Sequence, residues 1–181
     1  MYFEKPGKHN TKEVVELVLK KAQENDISTI VVASCSGATA RLFMDKGLNV
    51  VCVTHQVGYA KAGVDEMPPE EREFLIRNGI KVLTTTHLFA GVDRALRFKF
   101  QGVYPGEIIA SVLRMFGQGV KVCVEIAVMA LDAGVIPFGE DVIAVAGTAT
   151  GADAAVLLQP AHSQNFFDTS IKEIICMPQG K

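Results

Sequence analysis

The chain has 181 residues, 49% apolar and 21% charged, the ordinary balance of a folded globular domain, which excludes disordered, collagen-like and low-complexity chains. With 18 Lys plus Arg against 20 Asp plus Glu the net charge is −2, so no basic excess exists to condense onto a phosphate backbone or an anionic bilayer. Neither nucleic acid nor membrane is expected as a partner, and the length suits one domain over 1–181.

Met1 to Asn10 is polar and lacks the apolar core of a secretory signal, so a cytoplasmic protein is expected. Asn10 with Glu13 resembles a capping box, and Val14, Leu17, Val18 and Ala22 follow at helical spacing, predicting a helix to about Glu24. After Asn25-Asp26, Ile27 to Ala33 is a β-branched apolar run suited to a strand covered on both faces. Ser34 to Gly37 reads as a loop, Ala38 to Asp45 as a helix stopped by Gly47, and Asn49 to Thr54 as the next strand. Val57 to Met67 is loop-like and placed to cover a cleft or to form a surface excursion.

Pro68, Pro69, Glu70 and Glu71 open a second helix that Asn78-Gly79 ends before the strand Ile80 to Thr84. Leu96, Phe98 and Phe100 alternate with Arg97 and Lys99, which reads as an edge strand or an oligomer arm, with Arg94 or Arg97 available to a neighbouring subunit. Helices are predicted over Pro105 to Phe116 and Val120 to Ala133, the second apolar almost all round and therefore buried. Lys121, Glu125, Asp132 and Gly134 interrupt that greasy stretch, which keeps it from reading as a membrane span. Strands follow at Asp141 to Ala146, Ala154 to Leu158 and Ile171 to Met177, with a polar and aromatic loop containing His162 before the last. Helices alternating with short apolar strands predict an α/β three-layer sandwich with a mostly parallel central sheet.

Ligands of such sheets bind beyond the carboxyl ends of the strands. Those ends are polar here: Ser34 to Thr39, then Thr54-His55-Gln56, then Thr84 to His87, then Gly147 to Asp153. Ser34, Ser36 and Thr39 with Gly37 at a predicted helix start could hold a phosphate, or could simply cap the helix. No GK[ST] loop and no GxGxxG fingerprint is present. His55 and His87 could donate protons or touch a ligand, or be satisfied by nearby backbone. Cys35 lies at the same helix start, where thiol pKa falls; with no base beside it in sequence it reads more simply as a small buried residue. Cys52, Cys123 and Cys176 read as packing, and the two histidines lack a third ligand at recognisable spacing, so no metal is expected.

The run Ile30-Val31-Val32-Ala33-Ser34-Cys35-Ser36-Gly37-Ala38-Thr39-Ala40-Arg41 resembles the C-terminal α/β domain of pyruvate kinase, in which a hydrophobic strand enters a Thr/Ser-rich loop. Gly139-Glu140-Asp141-Val142-Ile143-Ala144-Val145-Ala146-Gly147 is similar to that domain's later strand and effector loop. Stand-alone archaeal proteins of this pyruvate kinase C-terminal-domain-like superfamily share the pattern. The resemblance implies that Ser34, Ser36, Gly37, Ala38 and Thr39 hold a phosphate. It further implies that the Gly147 to Gly151 loop, with Thr148, covers the same ligand; from their strand-end positions Ala152, Asp153, His55, Gln56, Thr86 and His87 are expected to complete the site. The kinase's active site lies in a barrel domain, so phosphoryl transfer does not follow from it.

Gly147 to Leu158 holds no basic residue for a second phosphate, which favours a monophosphate with a neutral, planar remainder. Flavin mononucleotide, FMN, is the leading expectation, in a homo-oligomeric protein that could serve as a flavoenzyme with redox chemistry carried by the cofactor. The alternative is a non-catalytic effector-sensing or assembly module for a sugar phosphate or nucleotide. Catalytic residues are not assigned; His55, His87 and Cys35 are the candidates.

Overall fold

The computed structural model describes residues 1–180. Seven strands form one sheet: β1 (Tyr2–Phe3), β2 (Thr29–Ala33), β3 (Asn49–Val53), β4 (Lys81–Leu83), β5 (Val142–Ala146), β6 (Ala154–Gln159) and β7 (Ser170–Pro178). Their spatial order is β1-β7-β6-β5-β2-β3-β4. Only the β5–β6 and β6–β7 pairs are antiparallel, so the carboxyl ends of β5, β2, β3 and β4 stand side by side along one rim. The expected α/β architecture with a mostly parallel sheet is the one observed.

Successive strand residues feed opposite cores, as the two-residue period requires. Ile30, Val32, Val50, Cys52, Ile143 and Val145 enter one apolar cluster, while Val31, Val51, Val53, Val142, Ala144 and Ala146 enter the other. The first face is covered by α1 (Thr11–Glu24), α2 (Ala38–Arg41) and α3 (Pro69–Arg77), through residues such as Val14, Val18, Ala40 and Leu75. The second is covered by α6 (Gln118–Asp132), buried over almost its whole length as its apolar circumference predicts. Beyond the second face lie α4 (Gly91–Phe100) and α5 (Pro105–Leu113), which with the following 3-10 turn (Arg114–Phe116) leave Val92, Phe98, Phe100, Val112 and Met115 exposed. No helix among the described residues is long and apolar enough to cross a membrane.

Three local expectations are corrected. The Asn10–Glu13 capping box does not form: Asn10 sits in a 3-10 turn (Lys8–Asn10) and its side-chain amide donates to the Lys5 carbonyl at 2.8 Å. The helix expected over Ala38 to Asp45 is α-helical only to Arg41. Beyond it Phe43 and Met44 donate to carbonyls three residues back, a tighter coil that delivers Phe43, 1% exposed, into the first core. Leu96 to Phe100 belongs to helix α4 and is not an edge strand. Its good helix formers close the Arg94→Ala90 and Gln101→Arg97 bonds, and Asp93 accepts from Gly106 N at 2.8 Å to fix the turn into α5. The polar N-terminus contributes β1, pairing parallel with β7.

The approach of α6 to the sheet depends on Gly119, whose added Cβ would lie 2.6 Å from the Ala154 Cβ and 2.8 Å from Asp153 Oδ1. Gly119→Ala should therefore destabilise by overpacking, by about 1–3 kcal/mol in urea unfolding; a wild-type midpoint would show that α6 can shift freely at this contact.

Candidate functional site

The polar rim opens into a cleft of about 1170 Å³. From β2 it takes Ser34, Cys35, Ser36 and Thr39, from β3 Thr54 and His55, from β4 His87, and from the β5 loop Gly147, Ala149, Thr150 and Gly151. The opposite wall is α4 to α6, with Arg94, Arg97, Arg114, Lys121 and Glu125. Gly37, Ala38, Gln56, Thr86, Thr148, Ala152 and Asp153 stand at strand ends without lining the cleft. Their placement has physical causes at two points.

At the first, Gly37 has φ +76° and faces away from the cleft onto Glu71, whose Oε1 would lie 2.3 Å from an added Cβ. Glu71 is ion-paired with Arg41, Nε donating to Oε1 at 2.7 Å, and that guanidinium holds the Glu71 carboxyl below its ordinary pKa. Gly37 thus makes room for a carboxylate, not for a ligand. Helix α2 is a single turn, so little macrodipole stands behind this loop. What remains for a ligand is the hydroxyl set. Ser34 Oγ accepts from Thr39 N at 3.2 Å, leaving its own proton free, and Ser36 is exposed.

At the second, Asp153 is fully buried beneath the β5 loop, where Oδ2 accepts from Gly7 N at 2.8 Å and Thr148 N at 3.1 Å. Oδ1 has no hydrogen-bond partner and faces the first turn of α6, whose positive end offsets the charge. Gly151, φ +72°, lies against Lys8 and Thr11, and Thr11 Oγ1 accepts from Ala152 N at 2.9 Å. Asp153 and Ala152 are therefore the loop's anchors. Ala149 has φ +65°, a left-handed backbone at a residue with a Cβ, and it lies on the cleft wall.

The β3 and β4 ends are braced together. Thr54 and Thr84 share a hydroxyl hydrogen bond of 2.6 Å, and Arg72 Nη2 donates to Thr84 Oγ1 and Asp65 Oδ2, each at 2.7 Å. The Val57 to Met67 excursion folds back over this end, closed by Gly58 N to Val64 O at 2.9 Å and anchored by buried Met67. It places the Tyr59 ring 4.0 Å from His55 and 5.2 Å from His87, and Glu66 Oε2 at 2.6 Å from His55 Nδ1. Cys35, His55 and Glu66 present ligand-type atoms all within 4.8 Å of one another. Burial pushes the Cys35 thiol up from its ordinary pKa, with Glu66 and Asp65 adding to the shift. The lowering expected from a helix start is thus reversed. Burial also holds the His87 imidazole below its usual pKa, against the pull of Glu125.

Several site residues were not singled out for the site by sequence: Tyr59, Glu66, Arg114, Lys121 and Glu125. Lys121 and Glu125 did carry a signal, being charges four apart inside an apolar helix. They form a buried ion pair, and Glu125 Oε1 also accepts from Phe89 N at 3.1 Å. Burial lowers the Lys121 pKa. Arg97 pairs with Glu107 at 2.9 Å, whereas Arg94 and Arg114 have no carboxylate partner among the described residues.

Gly37→Ala should cost about 1–2 kcal/mol through its left-handed backbone, and more as Glu71 is displaced. Differential scanning calorimetry should show a Tm lowered by roughly 2–8 °C; an unchanged Tm would remove the structural role assigned to this glycine. In chelator at pH 7, iodoacetamide should label Cys35 more slowly than the same cysteine in the unfolded chain, the difference shrinking above its raised pKa. Equal rates at pH 7 would contradict the raised thiol.

The sequence profile described as "Pyruvate kinase, alpha/beta domain" matches residues 12–157. Among solved structures, a pyruvate kinase from Cryptosporidium parvum is 15% identical over 82% of this chain and 22% of its own, with a TM-score of 0.43. A second structure of pyruvate kinase from that organism gives 17% identity, coverage of 78% and 21%, and a TM-score of 0.39. A third, in complex with ADP, gives 16%, coverage of 86% and 24%, and 0.41. The chain spans less than a quarter of the length of these pyruvate kinases. With a family match running over most of its length, the chain belongs to the pyruvate kinase alpha/beta domain family.

Proposed function

We propose that the cleft binds a phosphorylated small molecule, a monophosphate with a planar remainder such as FMN, and that the protein works as a flavoenzyme. The observation that carries this reading is the convergence of four strand ends on one cleft whose two halves differ in chemistry. Because β2 lies between β5 and β3, the hydroxyls of Ser34, Ser36 and Thr39 face the Gly147 to Gly151 loop on one side. On the other side they adjoin the ring cluster of His55, Tyr59 and His87. Hydroxyl donors suit a phosphate, and a cluster of aromatic rings tilted and edge-on to one another offers apolar surface to a flat heterocycle.

Arg94 and Arg114, free of carboxylates, supply positive charge from the facing wall. The cleft volume is sufficient for a mononucleotide. The donor set therefore fits such a group. FMN, when bound, would supply hydride and electron transfer. The chain's own residues would position it and exclude water along the α4 to α6 wall, with the half-buried His87 ring kept neutral beside it.

The second reading, an effector-sensing assembly module, is favoured by one observation. Helix α4, which brings Arg94 to the cleft, exposes Val92, Phe98 and Phe100 away from it, so occupancy of the cleft can be transmitted to a contact between copies.

FMN titration, read by quenching of flavin fluorescence, should saturate. Ser36→Ala should weaken binding about 10- to 150-fold, the value of one hydrogen bond to a charged group at roughly 1.5–3 kcal/mol. Thermal unfolding should be unchanged, since Ser36 is exposed. A colourless protein that leaves flavin fluorescence untouched would sink the flavin reading. Ligand-dependent assembly without turnover would favour the second.

A further inference from the structure

We infer that Cys35, His55 and Glu66 form a binding site for a zinc-class divalent cation at the mouth of the cleft, with the fourth coordination position open to it. The three residues come from the β2 end, the β3 end and the 57–67 excursion, and their ligand-type atoms lie within 4.8 Å of one another. Ligands 2.0–2.3 Å from a tetrahedral cation stand about 3.3–3.7 Å apart, so closure needs side-chain adjustment of about 1 Å. All three side chains sit on loops, and Glu66 is exposed, which leaves a path for entry.

The competing use of the same trio is a nucleophilic relay, thiol to imidazole to carboxylate. Such a relay needs sulfur and carboxylate on opposite ring nitrogens, roughly 6–8 Å apart. Here both crowd toward one point, the arrangement of ligands around a cation and not of a proton relay. The local charge agrees. Among the described residues the ion-pair partner of Glu66 is His55, while neighbouring Asp65 is already claimed by Arg72 at 2.7 Å.

The ligand set, one thiolate, one imidazole and one carboxylate, is borderline in softness and suits Zn2+ over Mg2+ or Ca2+. With three protein ligands the site has the composition of an open centre that can hold water or a ligand oxygen. Binding exchanges the Cys35 thiol proton for the cation. With Nδ1, the ring nitrogen nearest Glu66, as the ligand, the neutral His55 ring carries its proton on Nε2.

The test is titration of the chelator-dialysed full chain with Co2+, followed by displacement with Zn2+. It requires no phosphorylated ligand, so its outcome is independent of the phosphate reading. Expected are a thiolate-to-cobalt charge-transfer band saturating at one equivalent and tetrahedral ligand-field absorption, both lost on adding Zn2+. Cys35→Ser should abolish the charge-transfer band. Glu66→Gln, at an exposed position where the fold is not at stake, should keep the band but weaken affinity roughly 100-fold or more, since even outer-sphere partners are worth about 10–100-fold. No charge-transfer band in the wild type would overturn the site. So would a band that persists in Cys35→Ser, which would place the cobalt on one of the other three thiols, or wild-type affinity in Glu66→Gln.

Discussion

Double coverage of the central parallel strands is the constraint on which the rest of the molecule depends. β2, β3 and β5 bury both faces, so none of their interior positions can carry an uncompensated polar group without losing several kcal/mol. Chemistry is thereby driven to the ends of the strands. Since four parallel strands present their carboxyl ends along one rim, the hydroxyls, imidazoles and glycines expelled from the sheet collect in one cleft. The same constraint explains the buried thiols. Cys52 and Cys123 donate to carbonyls at 3.3 Å and 3.2 Å, and burial pushes Cys52 up to about 12, so they pack as small apolar residues.

The facing wall is built on a different principle. Helix α6 must be apolar to cover the sheet, yet it carries Lys121 and Glu125 into buried surroundings. A buried pair of this kind gains little net stability, because desolvation offsets the attraction. Its visible structural work is directional: Glu125 holds the Phe89 amide, which fixes the segment between β4 and α4. That segment carries His87, and α4 carries Arg94, so the pair fixes a stretch of backbone from which the cationic side of the cleft is presented.

The fold was legible where periodicity was strong. The runs at 29–33, 49–53 and 142–146 could be nothing but covered strands, and Pro68-Pro69 with Asn78-Gly79 bracketed α3 to within a residue. It was not legible where two periods compete. Leu96, Phe98 and Phe100 alternate as a strand would, but nothing pairs with them, and intrinsic helix preference decides when no sheet edge is available. The cleft was legible as strand ends, because that rule follows from topology alone. The roles of Gly37 and Asp153 were not, since they depend on Glu71, Gly7 and Thr148 arriving from distant parts of the chain. A glycine in a hydroxyl loop looks the same whether its open side meets a ligand or a neighbouring carboxylate.

The two occupants inferred for the rim bear on one another through a single loop. Cys35 lies between Ser34 and Ser36, so a cation held by Cys35, His55 and Glu66 sits beside the hydroxyls assigned to a phosphate. Replacing the thiol proton with a divalent cation raises the local charge by one unit, from −1 to 0, which relieves roughly 3 kcal/mol of repulsion on a unit negative charge about 6 Å away at an effective dielectric constant near 20. By linkage, whatever the cation adds to the affinity for an anion, the anion adds to the affinity for the cation. The coupling also has a structural channel. Glu66 and Tyr59 ride on the same excursion, so drawing Glu66 toward the cation would pull on the loop that holds the Tyr59 ring against His55 and His87. A loop tied down at Gly58 and Met67 but carrying both groups between them is suited to link the two sites.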